Sequence, residues 1–150
     1  SDDLFVNQDG VMPSPNSVMC ENLFLLSHHT GNRKYYQRGK LMIDTMANYI
    51  IDNTLDHMNW LNVSLDYNDK FFEVVISGKK SHKMANDISS RYFPNILIAA
   101  SKKDSDKYLL KNRYNKGETL IYVCVNNTCK FPVNNVNEAL KLITKKDEKI

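Results

Sequence analysis

The spacing of apolar residues changes near residue 70 of this chain, and the change divides it. From about residue 15 to residue 66 the apolar positions recur at helical intervals; from residue 71 they come as short β-branched and aromatic runs between turn signals. The first stretch, 1–13, reads as loop, with Asp9-Gly10 as a turn and Pro13 holding the residue before it extended. Ser14 fits an N-cap, and Pro15 fits the first helical position, where a missing N–H costs nothing. The helix expected over about 15–29 carries Val18, Met19, Leu23, Phe24, Leu25 and Leu26. More than one of its faces is apolar, so burial on several sides is expected. Gly31 fits the left-handed position that ends this helix, and Asn32 caps the next. So short a connection makes the two helices antiparallel neighbours. The second helix, about 33–51, has a stripe of Tyr35, Gly39, Met42, Met46, Tyr49 and Ile50. Gly39 in mid-helix costs about 1 kcal/mol against alanine, which points to a close neighbour. A third helix, from Asn53 or Thr54 to about 66, is expected to bury Leu55, Met58, Leu61 and Leu65, with Trp60 on the shoulder.

After Tyr67-Asn68-Asp69 the period becomes that of strands. Phe71 to Ile76 reads as a buried strand ending at Ser77-Gly78. Residues 80–92 return to helical spacing through Met84, Ile88 and Tyr92, and Pro94 closes the segment before a second apolar strand, Asn95 to Ala100. Strand, some fifteen residues, strand is the length of a right-handed βαβ crossover. Residues 101–116 are polar and irregular apart from a turn near Tyr108–Leu110. A third strand over Thr119–Val125 leads through Asn126-Asn127 into Thr128-Cys129, and a last helix, Val136–Thr144, is capped by Asn134 or Asn135. The expected fold class is therefore mixed α/β. A helical hairpin plus a third helix fills residues 1–67. A small three- to four-stranded sheet with a βαβ crossover and a C-terminal hairpin fills 68–150. The helices are more apolar than one hairpin requires, so the chain reads as part of a longer protein.

Composition narrows the partners. Lys and Arg number 20 against 17 Asp and Glu, a net charge of +3 spread along the chain, which argues against nucleic acid. The basic run Lys141 to Lys149 is interrupted by Asp147 and Glu148 and reads as a solvated tail. No run reaches the roughly 18 apolar residues of a membrane span. No signal peptide is visible, and three cysteines are no disulfide framework, so a cytoplasmic protein is expected. The sequons at Asn62 and Asn126 then carry no meaning.

The ordered motifs point to a family. Asp9-Gly10-x-x-Pro13-Ser14-x-Asn16-Ser17 is followed by Thr30-Gly31-x-x-x-Tyr35, then Glu73-Val74-Val75-Ile76-x-Gly78, then Phe93-Pro94-Asn95. Tyr122-Val123-Cys124 and Thr128-Cys129-x-x-Pro132-Val133 complete the series. The series resembles the C-terminal region of the thioredoxin-domain-containing proteins of the spermatogenesis-associated type. It departs from the family pattern at Pro15, where a glycine is usual, and at Lys79 and Lys80, where acidic residues are common. The resemblance implies that residues 1–67 end an (α/α) barrel similar to that of sugar epimerases. It implies that the thioredoxin-like and remaining helical-barrel regions of a parent chain are the partners. In such barrels the loops entering inner helices line the pocket, so Asp9, Asn16 and Ser17 are candidate contacts for a carbohydrate. Turn and capping chemistry explains Asp9 without a ligand and leaves Asn16 and Ser17 least explained. Left alone, the chain is expected to be inactive and to expose apolar surface, which makes a homodimer a candidate assembly.

Two further constellations come from spacing. If Asn126-Asn127 is a two-residue type I′ turn, Cys124 faces Cys129 within reach of a disulfide. The pair is a redox candidate; in a cytoplasmic protein, two reduced cysteines filling space are the expectation. No second cysteine pair accompanies them, so neither a metal nor a cofactor is expected. Gly78-Lys79-Lys80-Ser81 opens a helix and could offer amides to an anion, without any phosphate-loop pattern. His28, His29, His57 and His82 have no partner at metal or triad spacing and are expected exposed.

Overall fold

A computed structural model describes residues 7–126 and 128–144. Its described part holds five α-helices and a four-stranded mixed sheet, a mixed α/β fold. The chain divides into two compact units, Ser1–Asp69 and Lys70–Ile150.

In the first unit α1 runs Pro15–Thr30 and α2 Arg33–Asp52. A 3-10 turn, Thr54–His57, then leads into α3, Met58–Asn68. The sequence dictates the joints. Ser14 Oγ accepts from the Ser17 amide at 3.1 Å, and Pro15 occupies the first turn. Gly31 takes φ 68° and sends its amide to the Ser27 carbonyl. Asn32 Oδ1 accepts from the Lys34 amide at 3.1 Å.

The three helices meet at small and aromatic residues. Gly39 of α2 is buried where an added Cβ would overlap the Tyr67 hydroxyl and lie 3.4 Å from the Cys20 carbonyl oxygen. The Cys20 thiol donates to the Gly39 carbonyl at 3.3 Å, and Tyr67 Oη donates to the Cys20 carbonyl at 3.3 Å. Phe24 packs on Tyr67 with ring centres 4.8 Å apart, and Tyr36 on Tyr67 at 5.1 Å.

Each of these helices departs from the expected burial. α1 buries Ser17, Cys20, Phe24 and Ser27, while Val18, Met19 and Leu26 stay exposed, so it is not buried on several sides. α3 buries Trp60, Val63 and Tyr67; Leu55, Met58 and Leu65, expected inside, are exposed, Leu65 at 56% and Leu55, in the 3-10 turn, at 86%. In α2 the buried line is Gly39, Ile43, Met46 and Ile50, with Tyr49 outside.

The second unit is built on β1, Phe72–Ser77, whose six residues are all buried. α4, Ser81–Ser89, connects it to β2, Ile96–Ser101, which pairs with β1 in parallel, Phe72 opposite Ile96. β3, Leu120–Val125, lies antiparallel on the other side of β1, and β4, Thr128–Cys129, extends the sheet beyond it. The order is β2-β1-β3-β4. Phe72, Val74 and Ile76 of β1, with Ile121 and Val123 of β3, form one face of the sheet. Ile88 of α4 joins this core, as do Ala139, Leu140 and Ile143 of α5, Val136–Thr144. Asn135 caps α5, accepting from the Glu138 amide at 2.9 Å. Tyr92, expected on the helix stripe, falls beyond the end of α4 and is exposed.

Candidate functional site

Asp9 stands at the centre of the first unit's polar interior. Its Oδ1 accepts from the Ser14 amide at 2.7 Å and from Ser17 Oγ at 3.0 Å. Its Oδ2 accepts from the Asn59 amide at 2.8 Å and the Trp60 amide at 3.3 Å. One carboxylate thus sits at the starts of both α1 and α3, where unpaired amides and the helix dipoles favour an anion. The Asp9 amide itself donates to the Asp56 carbonyl at 2.7 Å. Burial pushes the carboxyl pKa up, but the hydrogen bonds from Ser14, Ser17, Trp60 and Asn59 outweigh it and hold the pKa below the usual value.

The three ligand candidates therefore have different positions. Asp9 and Ser17 are buried and face each other, and Ser17 Oγ also accepts from Asn59 Nδ2 at 2.9 Å. Asn16 is half-buried and turns away, its Nδ2 donating to Asn7 Oδ1 at 2.9 Å. Asn16 lines an open cleft of about 280 Å³. Asn7, Arg38 and Thr45 supply its other polar groups, and Leu41, Met42, Met46 and Trp60 its apolar wall. The Trp60 indole N–H donates to the Asn7 carbonyl at 2.7 Å. Sequence reasoning missed Asn59, Trp60 and Arg38. The first two lie some fifty residues from Asp9, a separation that carries no local signal.

The hairpin of the second unit holds the other candidate. Cys124 and Cys129 are opposed in the β3–β4 register, their Cα atoms 3.9 Å apart, and their sulfurs are bonded. Two reduced cysteines are the expectation for a cytoplasmic protein; the strand register instead places the sulfurs together. Asn126 has φ 51°, as the turn requires, while Asn127 lies outside the described residues. Cys124 is fully buried and Cys129 exposed. Arg113, from the loop before β3, donates through Nη2 to Cys129 Sγ at 3.3 Å, and its guanidinium carbon lies 5.4 Å from the Tyr122 ring centre. Nothing in the spacing of Arg113 and Cys129 announced this contact.

Elsewhere the expectations separate. At the start of α4 the Lys80 amide goes to Thr119 Oγ1 and the Ser81 amide to the Gly78 carbonyl, so two amides are no longer open to an anion. His57, expected exposed, is buried, its Nδ1 2.9 Å from the Asn53 carbonyl oxygen. Cys20 is buried and is not in a disulfide, and burial pushes its thiol up to about 11 against a smaller opposing effect of the Tyr67 hydroxyl. Among the described residues no group of three His, Cys, Asp or Glu side chains is placed to hold a metal ion, and no helix is long and apolar enough to cross a membrane.

No protein-family model and no solved structure matches the chain. Among curated proteins it is similar to spermatogenesis-associated protein 20 of Homo sapiens, 22% identical over 148 aligned residues that cover 91% of this chain. The same alignment covers 19% of that protein, so the chain spans about a fifth of the length of the relative it matches.

Proposed function

We propose that this chain is a non-catalytic, structural portion of a larger thioredoxin-domain-containing protein of the spermatogenesis-associated type. Its helical unit packs there against further helices of the parent, in a barrel like that of sugar epimerases. The observation that carries this reading is the double-sided character of α3. Trp60, Val63 and Tyr67 fill the unit's interior, while Met58 and Leu65 line up two positions away on the exposed side. Two positions are roughly 200° around a helix, so the second apolar line lies opposite the first. α1 repeats the pattern, with Cys20 and Phe24 inside and Met19 and Leu26 outside. A helix apolar on opposite faces belongs between two layers. The similarity to a stretch of a longer protein supports the same placement. Asp9 and Ser17 are taken up in capping, so a contribution to a carbohydrate site rests on Asn16 alone.

The test replaces Met19, Leu26, Met58 and Leu65 with glutamine in the 150-residue chain. Light scattering and binding of anilinonaphthalene sulfonate are then measured. We expect the parent sequence to bind the dye or to self-associate through these faces. The variant should be monomeric, free of dye and still folded. A parent sequence that is monomeric and dye-free would refute the reading.

A further inference from the structure

We infer that the Cys124–Cys129 hairpin is a thiol–disulfide exchange site for dithiol reductants, with Cys129 as the sulfur that exchanges and Cys124 as the resolving cysteine. Three observations converge on this assignment. The two residues are opposed in a strand pair only two residues long on the β4 side, at the edge of the sheet. Their accessibility is unequal, because Cys124 is fully buried and Cys129 exposed. Residue exposure thus favours Cys129 over Cys124 as the one a thiolate arriving from solvent attacks.

The third observation is a cation without an anion. Arg113 donates from Nη2 to Cys129 Sγ at 3.3 Å, and its Nη1 is buried with no hydrogen-bond partner. Among the described residues Arg113 makes no ion pair with a carboxylate. Its guanidinium leans on the Tyr122 ring, and Tyr122 Oη donates to the Arg113 carbonyl at 3.3 Å, which holds the loop in place. A buried donor without an acceptor is costly, and a neutral disulfide sulfur is a weak acceptor. A thiolate at Cys129 would complete the arrangement. An adjacent cation lowers a thiol's pKa and so raises the thiolate fraction that exchange needs.

The chemistry balances as follows. One thiolate of the reductant attacks Cys129 Sγ and forms a mixed disulfide. The Cys124–Cys129 bond breaks, and Cys124 leaves with the electron pair and takes up a proton. The reductant's second thiolate then attacks its own sulfur in the mixed disulfide and releases Cys129 as a thiolate beside Arg113. The reductant is oxidised to a disulfide and the hairpin is reduced to a dithiol. In the reverse direction the Cys129 thiolate attacks an external disulfide and Cys124 resolves the product.

The experiment uses the whole chain. After reduction with dithiothreitol and its removal, brief iodoacetamide labelling with peptide mapping should mark Cys129 at least roughly tenfold faster than Cys124. The C124S variant incubated with oxidised glutathione should accumulate a mixed disulfide at Cys129, whereas C129S should accumulate little at Cys124. In C124S, adding R113A should move the midpoint of the labelling pH profile of Cys129 up by about one unit, and R113K should restore part of the shift. Equal labelling of both cysteines in the reduced parent sequence would overturn the assignment, and that comparison needs no variant to fold. An unmoved midpoint in R113A would remove Arg113 from it.

Discussion

Replacing Asp9 with alanine should destabilise the helical unit selectively, and the cost can be worked from the carboxylate's partners. Four donors converge on it: the Ser14 amide, the Ser17 hydroxyl, and the Asn59 and Trp60 amides. Hydrogen bonds to a charged group contribute about 1.5 to 3 kcal/mol each, and a lost helix cap typically costs about 1 kcal/mol. The four share one carboxylate and are not additive. Water can reach part of the vacated site, and we therefore expect a loss of about 3 kcal/mol. For a unit of this size that corresponds to about 12 to 24 °C in Tm. Asp9→Asn should lose nearly as much at neutral pH, because one carboxylate oxygen becomes an NH₂ group facing other donors. The assay is built in: Trp60 is the single tryptophan, 1% exposed, on the helix that Asp9 caps. Urea unfolding followed by its fluorescence reads this unit. The depressed pKa adds a second signature. The stabilisation is complete above the unfolded-state value near 3.9 and is lost as pH falls through the lower folded value. Asp9→Asn should lack that acid limb. A loss below about 1 kcal/mol in Asp9→Ala, or an acid limb unchanged in Asp9→Asn, would refute the view of Asp9 as a double cap.

Two other substitutions probe the same unit. Gly39→Ala gains about 1 kcal/mol of helix propensity. It should nevertheless destabilise by about 1 to 3 kcal/mol, because its Cβ overlaps the Tyr67 hydroxyl. Adding Tyr67→Phe should relieve only part of this in a double-mutant cycle, since the ring carbon bearing the oxygen is also too close. Asp66, half-buried on α3, has its carboxyl pushed up to about 6 by burial first and Glu21 second, with His28 opposing. Because the folded-state pKa lies above the unfolded one, Asp66 favours the fold at low pH and that advantage disappears as pH rises through about 6. Asp66→Asn should therefore stabilise the chain by about 1 kcal/mol at pH 8, a figure discounted for solvent screening. The gain should vanish near pH 4, as melting curves at the two pH values would show.

How much of this was legible in the sequence depended on how local the cause was. The joints were legible because their causes lie within a few residues: Ser14 and Pro15 start α1, Gly31 and Asn32 turn it into α2, and Asn135 starts α5. Gly39 announced a close neighbour by being a poor helix residue, though not that the neighbour would be Tyr67. The facing of Cys124 and Cys129 followed from the pleat of a two-residue hairpin. Arg113 was invisible, since it reaches Cys129 from the polar loop before β3, sixteen residues away, and no local pattern links the two.

The miss on α3 is the informative one. Leucine and methionine at 58, 61 and 65 carry no hydrogen-bond donor to satisfy, whereas tryptophan and tyrosine at 60 and 67 do, yet Trp60, Val63 and Tyr67 are the set inside. The interior chose by hydrogen bonding and shape. Trp60 has an indole N–H that needs the Asn7 carbonyl, and Tyr67 has a hydroxyl that meets Cys20 across Gly39. Aromatic side chains with a polar end are buried where that end finds a partner. Methionine and leucine have no such requirement and suit any apolar layer, including one supplied by another part of a larger protein. The apolar line that periodicity selected is thus the outward face of the unit, the surface on which its proposed placement against further helices depends.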